Sequence, residues 1–218
     1  MNVLTILKMK PKSELIIMPK VDEIETLFKN YSDLHPNELV LFDGIVTDGD
    51  YNILFILKES NISGGNSEKG FDKSFWFKEV YNAKSTKPAT YYGDNLNRVE
   101  KSAQTKYFNC ITQIVDEIAK EQSIDNNKKI GISYININKN GGGSNCDNIG
   151  IKNWLETDCR HEFLLEQIKI IKPDKIVVFS CNSSNPDIQK FARELNTKYK
   201  VIEKEYHPSR YKKIRNKN

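Results

Sequence analysis

Three short stretches of this 218-residue chain place carboxylate, imidazole, amide and cationic side chains where a strand pattern gives way to a loop. Glu59 and Asn61 follow the apolar run Asn52-Ile53-Leu54-Phe55-Ile56-Leu57. Asn136, Asn138 and Lys139 lie at the end of the run from Ile130 to Asn138, and His207, Ser209 and Arg210 follow Val201 to Tyr206. A carboxylate can stabilise a developing cation or orient water, and an imidazole can donate to a developing anion. An Asn amide offers both a donor and an acceptor, which neither a carboxylate nor a Lys can do. Each residue also has an ordinary reading: Glu59 as a solvated strand-end glutamate or a helix-cap partner, His207 as a structural hydrogen-bonding histidine, Asn136 as a plain polar strand end. Asn138 competes with Asn136, because a two-residue slip keeps the side chain on the same face.

The elements that must position these residues follow from hydrophobic period. Ile16, Ile17, Val21, Ile24, Leu27 and Phe28 recur at partly helical spacing over 15–34, with Pro19 near the start. Ile53 to Leu57 is a continuous apolar run of the kind a central strand buried on both faces requires. Residues 61 to 95, with Gly64-Gly65, Gly70, Pro88 and Gly93, read as a long irregular segment. Val99, Ala103, Phe108, Ile111, Ile114, Val115 and Ile118 share a helical stripe over 97–121, and Ile130 to Asn138 is a second strand running into Lys139-Asn140-Gly141-Gly142-Gly143-Ser144. That glycine run reads as a flexible turn rather than a phosphate cradle, since it lacks the Lys-Ser/Thr ending of a P-loop. Phe163, Leu164, Gln167, Ile168 and Ile171 define a helix capped by Thr157 or Asp158 and stopped by Pro173. Lys175 to Ser180 is a third strand, Asn185-Pro186 opens a helix over 186–197, and Val201 to Tyr206 is a fourth strand. The alternation predicts an α/β fold: one three-layer α/β/α domain over 1–218 with a mainly parallel four-stranded central sheet. Residues 1–45 form a helical extension packed on it and 211–218 a basic tail. Ligands of such sheets bind outside the carboxyl ends of the strands, so the three polar strand ends are expected to converge on one mouth.

In that order the strand ends resemble the motifs of the uracil-DNA glycosylase superfamily, over the roughly 150 residues from Ile53 to Arg210. Ile53-Leu54-Phe55-Ile56-Leu57-Lys58-Glu59-Ser60-Asn61 resembles the strand that runs into G-E-A-P-G in the iron-sulfur branch, with Glu59 on the acidic position. Tyr134-Ile135-Asn136-Ile137-Asn138-Lys139 is similar to the strand whose asparagine reads the pyrimidine edge. The segment from Cys159 to Val178 resembles the helix and third strand, and His207-Pro208-Ser209 matches the H-P-S motif. The resemblance implies hydrolysis of the N-glycosidic bond of a flipped uracil or modified base in DNA. Glu59 then stabilises the oxocarbenium-like sugar or orients water, and His207 donates to the departing base. Asn136 reads the base edge, with Asn61 and Asn138 beside it. Phe71, with Trp76 as its substitute, stacks on the base for about 1–3 kcal/mol, comparable with the cost of flipping. Ser209, Arg210, Lys139, Lys212 and Lys213 meet phosphates. Ser60-Asn61-Ile62 replaces the Pro and Gly of the first motif, which supports an alternative: a catalytically inactive glycosylase-like module that binds nucleic acid or protein. Only Cys159 falls on a cluster position of the iron-sulfur branch, and such clusters need about four thiolates. The expectation is chemistry with no metal cluster and no cofactor.

Composition agrees with a folded domain: 38% hydrophobic and 28% charged residues exclude a disordered tail. No run nears the ~18 apolar residues of a membrane span, and no basic leader precedes the first apolar residues, so a cytoplasmic protein without a membrane partner is expected. Cys110, Cys146, Cys159 and Cys181 contain no C-x-x-C pair and read as small buried thiols. The net charge of +4 is unevenly spread. Residues 200–218 hold seven basic and two acidic side chains, so the positive excess lies in the segment carrying His207-Pro208-Ser209. That edge is the expected phosphate-facing surface, with DNA as the partner.

Overall fold

A computed structural model describes residues 19–38, 40–61, 103–125, 127–142 and 148–208. These form five helices and five strands: α1 (Pro19–Leu34), β1 (Gly44–Thr47), β2 (Tyr51–Asn61), α2 (Ala103–Glu121), β3 (Ile130–Gly142), α3 (Asn148–Glu156), α4 (Asp158–Ile171), β4 (Lys175–Phe179), α5 (Pro186–Asn196) and β5 (Val201–Lys204). The sheet order is β1-β3-β2-β4-β5. β2, β3, β4 and β5 are mutually parallel, and β1 joins the edge of β3 antiparallel.

The pleat sorts the core into two layers. Ile53, Phe55 and Leu57 of β2 face the same side as Ile132 and Tyr134 of β3 and Val177 and Phe179 of β4, where Cys110, Ile111, Ile114, Val115 and Ile118 of α2 cover them. Leu54, Ile56, Ile135, Ile137, Ile176 and Val178 face the other side, under α1, α3, α4 and α5. β2 lies between β3 and β4 with both faces covered, which is why Ile53 to Leu57 is uninterruptedly apolar. Helix α4 stops as its sequence requires: Lys172 adopts the left-handed region (φ 52°), its N–H donating to the Ile168 carbonyl, and buried Pro173 follows. Asp174 then ties β4 to the start of β2, its carboxylate accepting from Asn52 N–H at 2.7 Å while its own N–H donates to Asn52 O at 2.8 Å.

The structure differs from the sequence reading in three places. β1 adds a fifth, antiparallel strand to the four parallel ones. Helix α3 occupies a stretch with no assigned element, burying only Ile151 and Trp154 of its nine residues. β3 continues through Gly141 and Gly142, expected in a flexible turn, because Asn61 of the long strand β2 pairs with Gly142. The irregular segment after Asn61, Val99 and the basic tail lie outside the described residues.

Candidate functional site

The topology locates a mouth before any side chain is considered. From β2 the chain passes along one face, through α2, to β3. From β3 it crosses back over β2 on the other face, through α3 and α4, to β4. Connections leave the β2–β4 neighbourhood in opposite directions, and open parallel sheets bind ligands at such a switch point, beyond the carboxyl ends.

The strand ends are stepped there. The β2–β4 ladder ends at Ile56 opposite Val178, whereas the β2–β3 ladder runs on through Glu59 opposite Asn138 to Asn61 opposite Gly142, with an irregularity between. Glu59 and Asn138 are thus direct register partners, and Asn136 is the partner of Leu57. On the far side, β4 leads into Ser180, a buried residue in the left-handed region (φ 66°). Asn182, two residues on, knits the turn to the end of β5. Its Nδ2 donates to Glu205 O at 2.8 Å, and its Oδ1 accepts from Ser184 N–H, Ser184 Oγ and Asn185 Nδ2. The chain then reaches half-buried His207 and buried Pro208. β5 is two strand spacings from β2, about 10 Å, with β4 between them.

Glu59 and Asn61 belong to β2, Asn136, Asn138 and Lys139 to β3, and His207 lies three residues beyond β5. Asn138 is buried, its Oδ1 accepting the Asn140 N–H at 3.2 Å. Asn136, 5% exposed, donates both its backbone N–H (2.7 Å) and its Nδ2 (3.2 Å) to Asp43 Oδ2. Phe71, Trp76, Ser209, Arg210, Lys212 and Lys213 lie outside the described residues.

Lys139 is a correction. Expected at a phosphate, it is 0% exposed, its ammonium 2.5 Å from Asp43 Oδ1 and 5.6 Å from the centre of the Phe28 ring. Burial pushes its pKa below 10.5, opposed by the Asp43 carboxylate. An ammonium so enclosed does not meet a surface phosphate.

Asp43 and Gln167 are the residues that the strand-end reading missed. Gln167 Nε2 donates to Asp43 Oδ1 at 2.8 Å and to the Asp43 carbonyl at 3.0 Å, while its Oε1, also buried, has no partner among the described residues. A signal existed for Gln167, a polar residue on the apolar stripe of α4, which implies a buried partner. Asp43 had none, being 96 residues from Lys139 in sequence.

Beside the mouth, Asn140 Oδ1 accepts the indole N–H of fully buried Trp154 at 2.5 Å. The Arg160 guanidinium lies 5.5 Å from that ring and donates to Glu38 at 2.8 Å. His161 bonds Leu155 O and Glu194 Oε1, both at 2.9 Å, joining α4 to α5. A groove of about 730 Å³ lies elsewhere, in the helix layer between α1, α4 and the end of α5, lined by Leu27, Leu34, Phe163 and Leu195.

Cys110 and Cys181 are buried and burial pushes both thiols up to about 12, but Cys159 is exposed, unlike the buried thiol expected. Among the described residues no group of three or more His, Cys, Asp or Glu could hold a metal ion, and no helix is long and apolar enough to cross a membrane. Comparison of the chain with protein-family models, curated proteins and solved structures finds no match.

Proposed function

We propose that this chain is a uracil-DNA glycosylase-like hydrolase that cleaves the N-glycosidic bond of a flipped uracil or modified base in DNA. The observation that carries this reading is the parallel register of Glu59 with Asn138 at the stepped carboxyl ends of β2 and β3, beside the topological switch point. The chain returns to the same end of the sheet at His207. In this reading Glu59 supports the oxocarbenium-like sugar, His207 donates to the leaving base, and the amide of Asn138 or Asn136 reads the base edge. Catalysis then rests on positioned charge and a positioned water.

A second reading, a catalytically inactive module that binds nucleic acid or protein, draws support from the Asp43 cluster. That cluster engages the Asn136 amide and the Lys139 ammonium inside the protein.

A base-release assay separates the two, using single- and double-stranded DNA carrying normal, deaminated and modified bases, with the free base identified by mass spectrometry. Hydrolysis predicts release by the native protein and its loss, by about a hundredfold or more, in Glu59→Gln and His207→Ala. Both variants are expected to keep the native circular dichroism spectrum. If both retain full activity, the assignment of roles is wrong. Absence of release from every substrate, with salt-dependent DNA binding retained, establishes the second reading.

A further inference from the structure

We propose that Asp43, which belongs to none of the motifs at the strand ends, is the positioning residue for the carboxyl end of β3, clamping the strand that carries Asn136 and Asn138 through its carboxylate. The activity arm of its test rests on the glycosylase reading; the exchange arm does not.

The need for a clamp follows from the sheet. β1 is only four residues long, and its ladder with β3 runs from Thr47 opposite Ile132 to Gly44 opposite Tyr134. β3 continues eight residues past Tyr134, and among the described residues the edge it turns toward β1 has no strand beside it there. Backbone groups on such an edge must find other partners or be hydrated. Asp43, the residue before β1, takes over where the ladder stops. Its Oδ2 accepts the Asn136 N–H at 2.7 Å, in place of a strand carbonyl, and the Asn136 Nδ2 at 3.2 Å. Leu41 continues the edge, its N–H donating to Lys139 O at 2.8 Å.

The second carboxylate oxygen fixes the clamp itself. Oδ1 accepts Lys139 Nζ at 2.5 Å and Gln167 Nε2 at 2.8 Å, so Asp43 is held from β3 and from α4 while holding Asn136. With Asp43 only 1% exposed, water does not compete for these positions. One carboxylate therefore fixes the backbone of Asn136 and the orientation of its amide, two residues before Asn138, the register partner of Glu59.

Gln167 supplies a way to separate clamp from charge. Its Oε1 has no partner among the described residues, so the amide can turn and accept where it now donates, giving up the bond from Nε2 to the Asp43 carbonyl. In a Lys139→Met background, Asp43→Asn keeps an acceptor for the Asn136 N–H and offers its new amide N–H to Gln167 Oε1. Asp43→Ala in the same background removes the clamp, and neither double variant leaves a buried ammonium.

The test compares these two double variants by hydrogen exchange of the Asn136 amide, measured by NMR, and by base-release kinetics. The expected result is faster exchange at Asn136, by about tenfold or more, in the Ala variant and not in the Asn variant. The Ala variant should also lose about tenfold to a hundredfold in kcat with KM within about twofold, as misplacement of a group that orients the substrate for reaction does. Identical exchange and identical kcat in the two variants overturn the proposal. If the native protein releases no base, the glycosylase reading fails by itself, and the exchange comparison alone decides whether Asp43 is the clamp.

Discussion

Removing Asp43 should be partly repaired by a second deletion. In Asp43→Ala, Lys139, 0% exposed, loses its only ion-pair partner among the described residues and must either bear an unpaired buried charge or give up its proton. Breaking a buried pair in this way costs about 3–5 kcal/mol, close to a thousandfold in the folding constant. A domain with a total stability of about 5–15 kcal/mol survives it narrowly. Lys139→Met is milder. The carboxylate still accepts from Asn136 N–H, Asn136 Nδ2 and Gln167 Nε2, and methionine nearly fills the volume, so a loss of about 1–2 kcal/mol is expected. The double variant contains no buried charge at the cluster and lacks only the clamp hydrogen bonds, at a cost of about 2–3 kcal/mol. Adding Lys139→Met to Asp43→Ala should therefore raise stability by about 1–2 kcal/mol. Urea denaturation at pH 7, followed by circular dichroism with a common m-value, measures all four corners of the cycle. A double variant less stable than Asp43→Ala alone would refute the reasoning, because it would mean that the ammonium is not enclosed with that carboxylate.

Three further outcomes follow from the same structure. Burial holds the folded pKa of Lys139 below 10.5, so the protonated lysine lowers stability at neutral pH. That loss is recovered as pH rises from the folded value to 10.5; because removing the Asp43 carboxylate lowers the Lys139 pKa further, the stability gap between Asp43→Ala and the native protein should narrow as pH rises toward the native folded value and stay constant above it, when both are melted at matched pH. The thiols work in the opposite direction. With Cys110 and Cys181 pushed up from 9.0 to about 12, their contribution is complete below pH 9 and is lost as pH climbs toward 12. At pH 8, alkylation mapped by mass spectrometry should find exposed Cys159 modified at least tenfold faster than either; equal rates would contradict their burial. Gly131→Ala puts a Cβ against the Asn52 side chain, 2.7 Å from Gly49 N and 3.0 Å from Thr47 O, and should cost about 1–3 kcal/mol in thermal denaturation.

What the sequence made legible was set by the range of the interactions involved. β2 was readable because burial on both faces writes an unbroken apolar run, and α4 because its stripe and Pro173 are local. β1 was not, since four residues that pair with a strand some 90 positions later carry almost no period of their own. Helix α3 was hidden by its shortness and its two buried residues. At the candidate site, the order of the polar strand ends could be read, but their engagement could not. A lysine at a strand end reads as exposed until its carboxylate is found, and Asp43 lies in a segment with no pattern. Asn138 rather than Asn136 stands opposite Glu59 because register depends on the pairing of two strands, which neither strand encodes alone.

The central position of β2 has a consequence for how the chain is made. Its first hydrogen bonds to the β4 side join Asn52 to Asp174, 122 residues later in synthesis. At roughly 5–20 residues per second, the central strand waits about 6–24 s for the strand that covers its second flank. During that interval Ile53 to Leu57 form an adhesive edge. A nascent chain stalled before β4 should therefore bind chaperones, whereas one extended through β5 should release them.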